Sequence, residues 1–484
     1  MTLITNTPTL AERMATFAVG LRFESLPPTV VHEVKRRVLD SLGCAFGAYS
    51  SEPGQVARSV ASAIAGSQES GATLWGTSHR TSLDWAAFAN GCLVRYLDYN
   101  DTYLSLEPAH PSDNIPAAVA AAEGAGANGR ALITAITAAY EVQCRLCDAA
   151  SLRAIGWDHV TYGAFSSALA AGMLMGLDVH RMRHALGIAG VASAALRQTR
   201  VGELSHWKGC AFANAARQGV YAAMLARAGM TGPHPIFEGD KGFEKLVSGP
   251  LPVKGPFATA GVGAATGAPD SEWMILKTSI KCWPVEYHAQ SAVDAALSLR
   301  AQVLAGTFGG SADGIFDAVR EIIVDSHDAA VDIIGSEPEK WRPTSRETAD
   351  HSLPYLVAVT LADGEVTQAQ FEPERFTDPR LLSLVARVSV RRHDELSRLY
   401  PDAVGNIVTV TTNDGRTLNR RVDHALGHAH NPMPDEGVRA KFHRQADPLL
   451  GEARAAEVAE IVWRLEELGN MEELLGAIHV PERV

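Results

Sequence analysis

The spacing of alanine and other small apolar residues over the first 230 residues constrains this chain more than any other feature. Val30, Val34, Val38, Leu39 and Leu42 recur at three- and four-residue intervals, which puts them on one face of a helix. Alanine-rich segments follow at 83–97, 114–125, 130–149, 162–176, 180–196 and 210–229. Gly124/Gly126/Gly129, Gly176, and Gly229 before Thr231-Gly232-Pro233 punctuate them. Side chains this small let helix axes approach closely. No fixed period is visible, so one large all-helical domain is expected rather than a repeat array.

The pattern changes near residue 250. Leu251–Asp270 is rich in Gly, Pro and Ala and reads as a boundary. Beyond it come short β-branched runs at Glu321–Val324, Leu384–Val390 and Asn406–Thr411. Ile407–Val410, then Asn413-Asp414-Gly415, then Arg416–Val422 is a hairpin pattern. Helical spacing at Val285–Ala301 and Ser352–Leu361 lies between the strands, and returns at Asp435–Arg444 and Glu452–Leu468 after Asn431-Pro432-Met433-Pro434. At 484 residues the chain exceeds one ordinary core. The expected class is mainly α: a large all-helical domain with a smaller α+β domain. Its segments are 1–268 (helical), 269–430 (α+β) and 431–484 (helices returning to the first).

A formal net charge of -12 without a basic run excludes a nucleic-acid footprint. No apolar stretch reaches the roughly 18 residues of a membrane span. The opening MTLITNTPTLAERMATF lacks the parts of a secretory signal, and the six cysteines form no disulfide pattern. A soluble cytoplasmic protein is expected. Cys144 and Cys147 make a single C-x-x-C inside a helical segment, too few for structural zinc or an iron–sulfur cluster. There is no phosphate-binding Walker loop and no G-x-S-x-G, and Gly261-Val262-Gly263 lacks a dinucleotide context. Neither metal nor cofactor is expected.

The densest polar cluster of the helical half is Leu97-Asp98-Tyr99-Asn100-Asp101-Thr102, continuing to His110-Pro111-Ser112-Asp113-Asn114. A helix stops before it, and another is expected to start at Ser112 or Asp113 as N-cap, where unpaired N–H groups suit a carboxylate. Two capped helices with solvated turn residues are the plainer explanation. Gly156-Trp157-Asp158-His159, His206-Trp207-Lys208 and Lys281–Gln290 each precede a helix and have the same two readings. In Arg346, Asp350, His351 and Tyr355, the last two can share a helix face.

Several of these stretches, in order, resemble the MmgE/PrpD family and its dehydratase branch: Arg95–Asn114 (RYLDYNDTYLSLEPAHPSDN), Leu39–Cys44, Asp158-His159-Val160, Trp283–Gln290, Asp350–Tyr355 and Gly427-His428-Ala429. The resemblance implies a helical domain with an inserted α+β lid, a homodimer and metal-independent chemistry on a small tri- or dicarboxylate. It places the family's active-site groups on Asp98, Thr102, His110, His159, Lys208 and Tyr355, and carboxylate-binding groups on Lys281, His288 and His351; Arg197 and Arg200 are candidate carboxylate-binding cations by their charge. The implied reaction is dehydration of 2-methylcitrate to 2-methyl-cis-aconitate, a step of propionate catabolism. Decarboxylation of a cis-aconitate-like acid, epimerisation of a dicarboxylate, and carboxylate binding without turnover are the alternatives.

Removing a proton beside a carboxylate adds charge to an anion, so preorganised cations are required. A base and a general acid are needed as well. The expectation gives proton abstraction to Asp98 or His110, and assistance to the departing hydroxide to His159 or Tyr355.

Overall fold

Alanine and glycine dictate how the helices of this chain meet. The computed structural model describes residues 7–64, 71–202, 204–257, 272–305 and 314–481. Two compact units divide the chain: Met1–Gly202, His206–Thr278 and Pro434–Val484 form the first, Glu203–Ser205 and Ser279–Met433 the second. The Gly/Pro/Ala-rich stretch 251–270 is described only to residue 257; the rest of it, with Gly261-Val262-Gly263, lies outside the described residues.

The first unit is built from helices α1 (Leu10–Gly20), α2 (Pro28–Gly47), α3 (Glu52–Ser62), α4 (Leu83–Tyr96), α5 (Ile115–Ala125), α6 (Gly129–Ala149), α7 (Val160–Leu174), α8 (Val179–Ala192) and α9 (Trp207–Arg227). The C-terminal helices Asp435–Leu450 and Glu452–Trp463 belong to the same unit. Nearly every residue of α7 is buried, whichever way it faces. A helix apolar all round has neighbours on every side, so α7 is the unit's central helix. None of the helices in the described residues is long and apolar enough to cross a membrane.

Gly219 shows what the small residues do. A Cβ there would lie 2.7 Å from both Ala164 O and Ala168 N of α7. Alanine would gain about 1 kcal/mol of helix propensity over glycine. Forcing a methyl group onto the neighbouring backbone costs about 1–3 kcal/mol and separates the helices. The clash wins, so Gly219→Ala should lower the melting temperature; an unchanged or raised one contradicts this packing.

The second unit carries a four-stranded mixed sheet. Strands β1 (Val319–Ser326), β2 (Val388–Arg392), β3 (Asn406–Thr412) and β4 (Thr417–Val422) lie in the order β2-β1-β3-β4. β1 pairs parallel with β2 and antiparallel with β3, and β3–β4 is an antiparallel hairpin. Asn413-Asp414-Gly415 supplies its turn, with Gly415 at φ 90°. Val319, Ile322, Val324, Val408 and Val410 share one core with residues of the helices Gln290–Leu304 and Leu353–Asp363. The mainly α class with a smaller α+β domain is what the structure has.

Two sequence expectations differ locally. Leu384 and Val385 end a helix, Pro379–Val385, instead of opening a strand. The Asp378 side chain accepts from Arg380 N at 2.8 Å, and Leu381, Leu384 and Val385 are buried at helical spacing. A short apolar run does not distinguish the two periods, and the cap decides. The helix expected from Val285 starts at Gln290, because the Gln290 amide holds the preceding turn. Its Oε1 accepts from Cys282 N at 3.2 Å and Trp283 N at 3.1 Å, and its Nε2 donates to Trp283 O at 2.8 Å.

Candidate active site

Helix α4 ends at Tyr96, and Asp98 turns the chain with φ at 52°. Among the described residues it is the only non-glycine residue with positive φ. Glycine or asparagine ordinarily fills this position after a helix, and another L-residue there costs about 1–2 kcal/mol. Its carboxylate is held on both sides. Arg95 Nη1 donates to Oδ1, and Lys208 Nζ, from the first turn of α9, donates to Oδ2 at 3.1 Å. All three residues are buried. Strain of this kind persists where surrounding contacts over-determine it, and it concentrates at functional sites.

The loop after Asp98 is wired to the entry of α5. A short 3-10 turn, Pro111–Asn114, precedes α5, so Asn114 is the capping residue rather than Ser112 or Asp113. The Asp101 carboxylate accepts from Ser112 N at 2.9 Å and from Tyr140 Oη at 2.6 Å. An N–H group expected to receive a bound carboxylate therefore already has one from the chain itself. Asn100 Nδ2 donates to Ser112 Oγ at 2.8 Å and to Asp113 Oδ1 at 2.7 Å. His110 Nδ1 lies 2.6 Å from Asp101 O and 3.3 Å from Thr102 Oγ1. A carbonyl only accepts, so His110 carries its proton on Nδ1 and Nε2 is the basic nitrogen of the neutral ring.

His159 precedes α7, with its ring centroid 5.9 Å from that of His110. Its Nδ1 is 3.0 Å from Asp158 Oδ1. Arg200 Nε donates to Asp158 Oδ2 at 3.0 Å, and Arg200 Nη1 reaches Lys208 O at 3.4 Å. Burial works against charge on Asp158, but Arg200 and then His159 hold its carboxyl well below the usual range. An ionised Asp158 fixes the His159 proton on Nδ1. Nε2 is then a lone pair, buried and without a hydrogen-bond partner. Burial first, and the Arg200 charge second, push His159 down to about 4 against the pull of Asp158. The ring is therefore neutral at pH 7.

This depression has a consequence for stability. Unfolded, His159 binds a proton near its ordinary value of about 6.5; folded, it binds one only near 4. Stability contributed by the neutral ring is present above pH 6.5 and is lost as pH falls toward 4, by about 3 kcal/mol in all. His159→Asn should flatten the fall of melting temperature over this window, and an unaltered slope contradicts the assignment.

Arg197 opens the turn that ends at Arg200 and is half-buried. Cys144 and Cys147 are buried in α6, and burial raises both thiols. Among the described residues, no group of three His, Cys, Asp or Glu side chains could hold a metal ion.

The remaining expected residues belong to the second unit. Lys281 is buried. His288 Nδ1 lies 2.6 Å from Glu286 Oε1, and its Nε2 3.5 Å from Tyr400 Oη. Burial opposes charge on Glu286, but His288 brings its carboxyl down to about 2. His351 Nδ1 pairs with Asp350. Tyr355 is fully buried in the unit's core and its hydroxyl donates to Gln370 O. That bond directs the Tyr355 hydroxyl proton to the main chain in this structure.

Within the first unit the structure groups Asp98 and Lys208, Thr102 and His110, and His159 and Arg200. The sequence reading did not single out Arg95, Asp101, Asp113 or Asp158 as site residues. The three-residue offset from Arg95 to Asp98 was a usable signal for one of them.

The sequence profile of the MmgE/PrpD N-terminal domain matches residues 12–255, and that of the C-terminal domain matches residues 283–467. A 2-methylcitrate dehydratase of Cupriavidus necator is 30% identical over 456 residues, covering 88% of this chain and 89% of that protein. The 2-methylcitrate dehydratase of Escherichia coli (strain K12) is 27% identical over 457 residues, 89% of each chain. The human cis-aconitate decarboxylase is 26% identical over 489 residues, 98% of this chain and 95% of its own. Matched in both domains and along most of its length, the chain belongs to the MmgE/PrpD family.

Proposed function

We propose that this protein is an enzyme, a carbon–oxygen hydro-lyase that dehydrates 2-methylcitrate to 2-methyl-cis-aconitate. The observation that carries the reading is the pairing, in one unit, of a neutral buried imidazole with an ammonium held by a carboxylate. His159 Nε2 has its lone pair available, and Lys208 Nζ donates to the Asp98 carboxylate. Arg200 joins the two through Asp158 and the Lys208 carbonyl.

His159 Nε2 takes the proton from the methyl-bearing carbon, and Asp158 stabilises the imidazolium that forms. This reverses the division of labour expected from the sequence, because both Asp98 oxygens are engaged by cations, whereas His159 Nε2 is a lone pair with no hydrogen-bond partner on a ring that is neutral at pH 7. Lys208 and Arg200 supply positive charge for the carboxylate that accepts the electron pair. The carbon–oxygen bond on the neighbouring carbon then breaks, and the hydroxide leaves as water with a proton from Lys208. Transfer of the His159 proton back to Lys208 resets the site.

Decarboxylation of cis-aconitate is the second reading, favoured by the human relative's 98% coverage of this chain. Incubation with 2-methylcitrate, citrate and cis-aconitate separates the two. A new conjugated double bond from 2-methylcitrate without CO2 supports dehydration; CO2 release from cis-aconitate supports the second reading. Metal independence, a homodimer and a cytoplasmic location belong to the same proposal. Exhaustive chelation should leave kcat unchanged, and loss of activity restored by a metal contradicts that part of it.

A further inference from the structure

Arg95 stands between two carboxylates. Its Nη1 donates to Asp98 Oδ1, and its Nε lies 3.7 Å from Asp113 Oδ2. Asp113 is buried, its Oδ1 accepts from Asn100 at 2.7 Å, and its Oδ2 accepts no hydrogen bond. A carboxyl group with one lone-pair-rich oxygen buried and unbonded is poorly solvated as an anion. The groups acting on it are Arg95 from α4, Asn100 and Asp101 from the loop, and Arg200 from the turn before α9. Of these, Asp101 repels its charge while Arg95, Asn100 and Arg200 attract it.

We propose that Asp113 takes up a proton when a tricarboxylate binds, so that substrate binding and protonation at this buried carboxyl are coupled through Arg95. This inference rests on the proposed reading of the site as one for tricarboxylates. With Asp113 ionised, Arg95 and Lys208 are balanced by Asp98 and Asp113, and this group of four has no net charge. With Asp113 protonated, the same four carry one positive charge, and Arg95 is no longer shared between two anions. An anionic substrate therefore binds better to the protonated form, and by linkage its binding draws a proton in. Burial, with Asp101 adding to it, raises the Asp113 carboxyl to about 7 against Arg95 and Asn100, so the exchange falls at working pH. Asp113 acts through Arg95 and is a positioning residue, not a catalytic one.

The test is calorimetric titration of the full-length protein with propane-1,2,3-tricarboxylate, which lacks the hydroxyl that would leave. Titrations in buffers of different ionisation enthalpy, from pH 6 to 9, count the protons taken up. The probe's own ionisation and that of His110 or His159 cancel in the difference between wild type and Asp113→Asn. Above pH 7, wild type should take up more protons than Asp113→Asn. Its affinity should also fall more steeply with pH than that of Asp113→Asn, by up to about tenfold per pH unit. Asn100→Ala, which removes a donor to the ionised form, should move the step upward in pH and serves if Asp113→Asn does not fold. Equal proton counts in wild type and both substituted proteins overturn this inference alone. A wild type that binds no tricarboxylate overturns the functional reading and this inference with it.

Discussion

His159→Asn should lower kcat by about 10²–10⁴-fold, the range over which a positioned general base contributes. Asparagine keeps a donor close to where Nδ1 meets Asp158 and removes the Nε2 lone pair. The 3.0 Å contact with Asp158 and the Arg200 bridge behind it survive in kind, so a loss of turnover reports on the proton acceptor rather than on the fold. KM should change much less than kcat, because the deleted interaction is made as the proton moves. Near-wild-type kcat in a folded His159→Asn protein would return the proton abstraction to Asp98 or His110.

The second large effect belongs to Asp98 and Lys208 acting as one unit. Asp98→Asn is the informative substitution because asparagine accepts the left-handed backbone that φ of 52° requires. Removing one partner of a buried ion pair leaves an uncompensated charge, a cost of about 3–5 kcal/mol. Lys208 can shed that cost by losing its proton, and with it both its cationic and its acidic roles. Turnover should therefore fall by about 10²–10³-fold, as when one transition-state donor is deleted. Lys208→Met should fall by a similar factor in kcat/KM. The double substitution should be little worse than either single one, since groups that act together are grossly non-additive. Losses that multiply would show two independent roles.

Helix boundaries in the first half were legible because alanine-rich spacing, Gly punctuation and caps agree there. The expected segments 114–125 and 130–149 compare with helices at Ile115–Ala125 and Gly129–Ala149. The β3–β4 hairpin was legible from Asn413-Asp414-Gly415 for a similar reason: the turn residues and the strand periods point the same way. Where only a short apolar run was present, as at Leu384-Val385, a neighbouring Asp-Pro cap settled the structure and hydrophobicity did not.

Site residues were legible as types and positions, not as partners. Asp98 and Lys208 are 110 positions apart, and nothing in their spacing announces the 3.1 Å contact. Asp158 sits beside His159 in the chain, yet its importance comes from Arg200, which packing delivers from a separate turn. Tyr355 illustrates the converse. Its place after Asp350-His351-Ser352 reads as functional, and only the bond to Gln370 O shows where its hydroxyl proton goes.

The proposed reaction abstracts a proton from the methyl-bearing carbon and couples it to loss of water. Mass spectrometry of the product formed from 2-methylcitrate deuterated at that carbon tests it most directly. The expected product is 2-methyl-cis-aconitate free of deuterium, formed without CO2 and more slowly than from the unlabelled substrate. A product that retains the label, or one that has lost a carboxyl group, would contradict it.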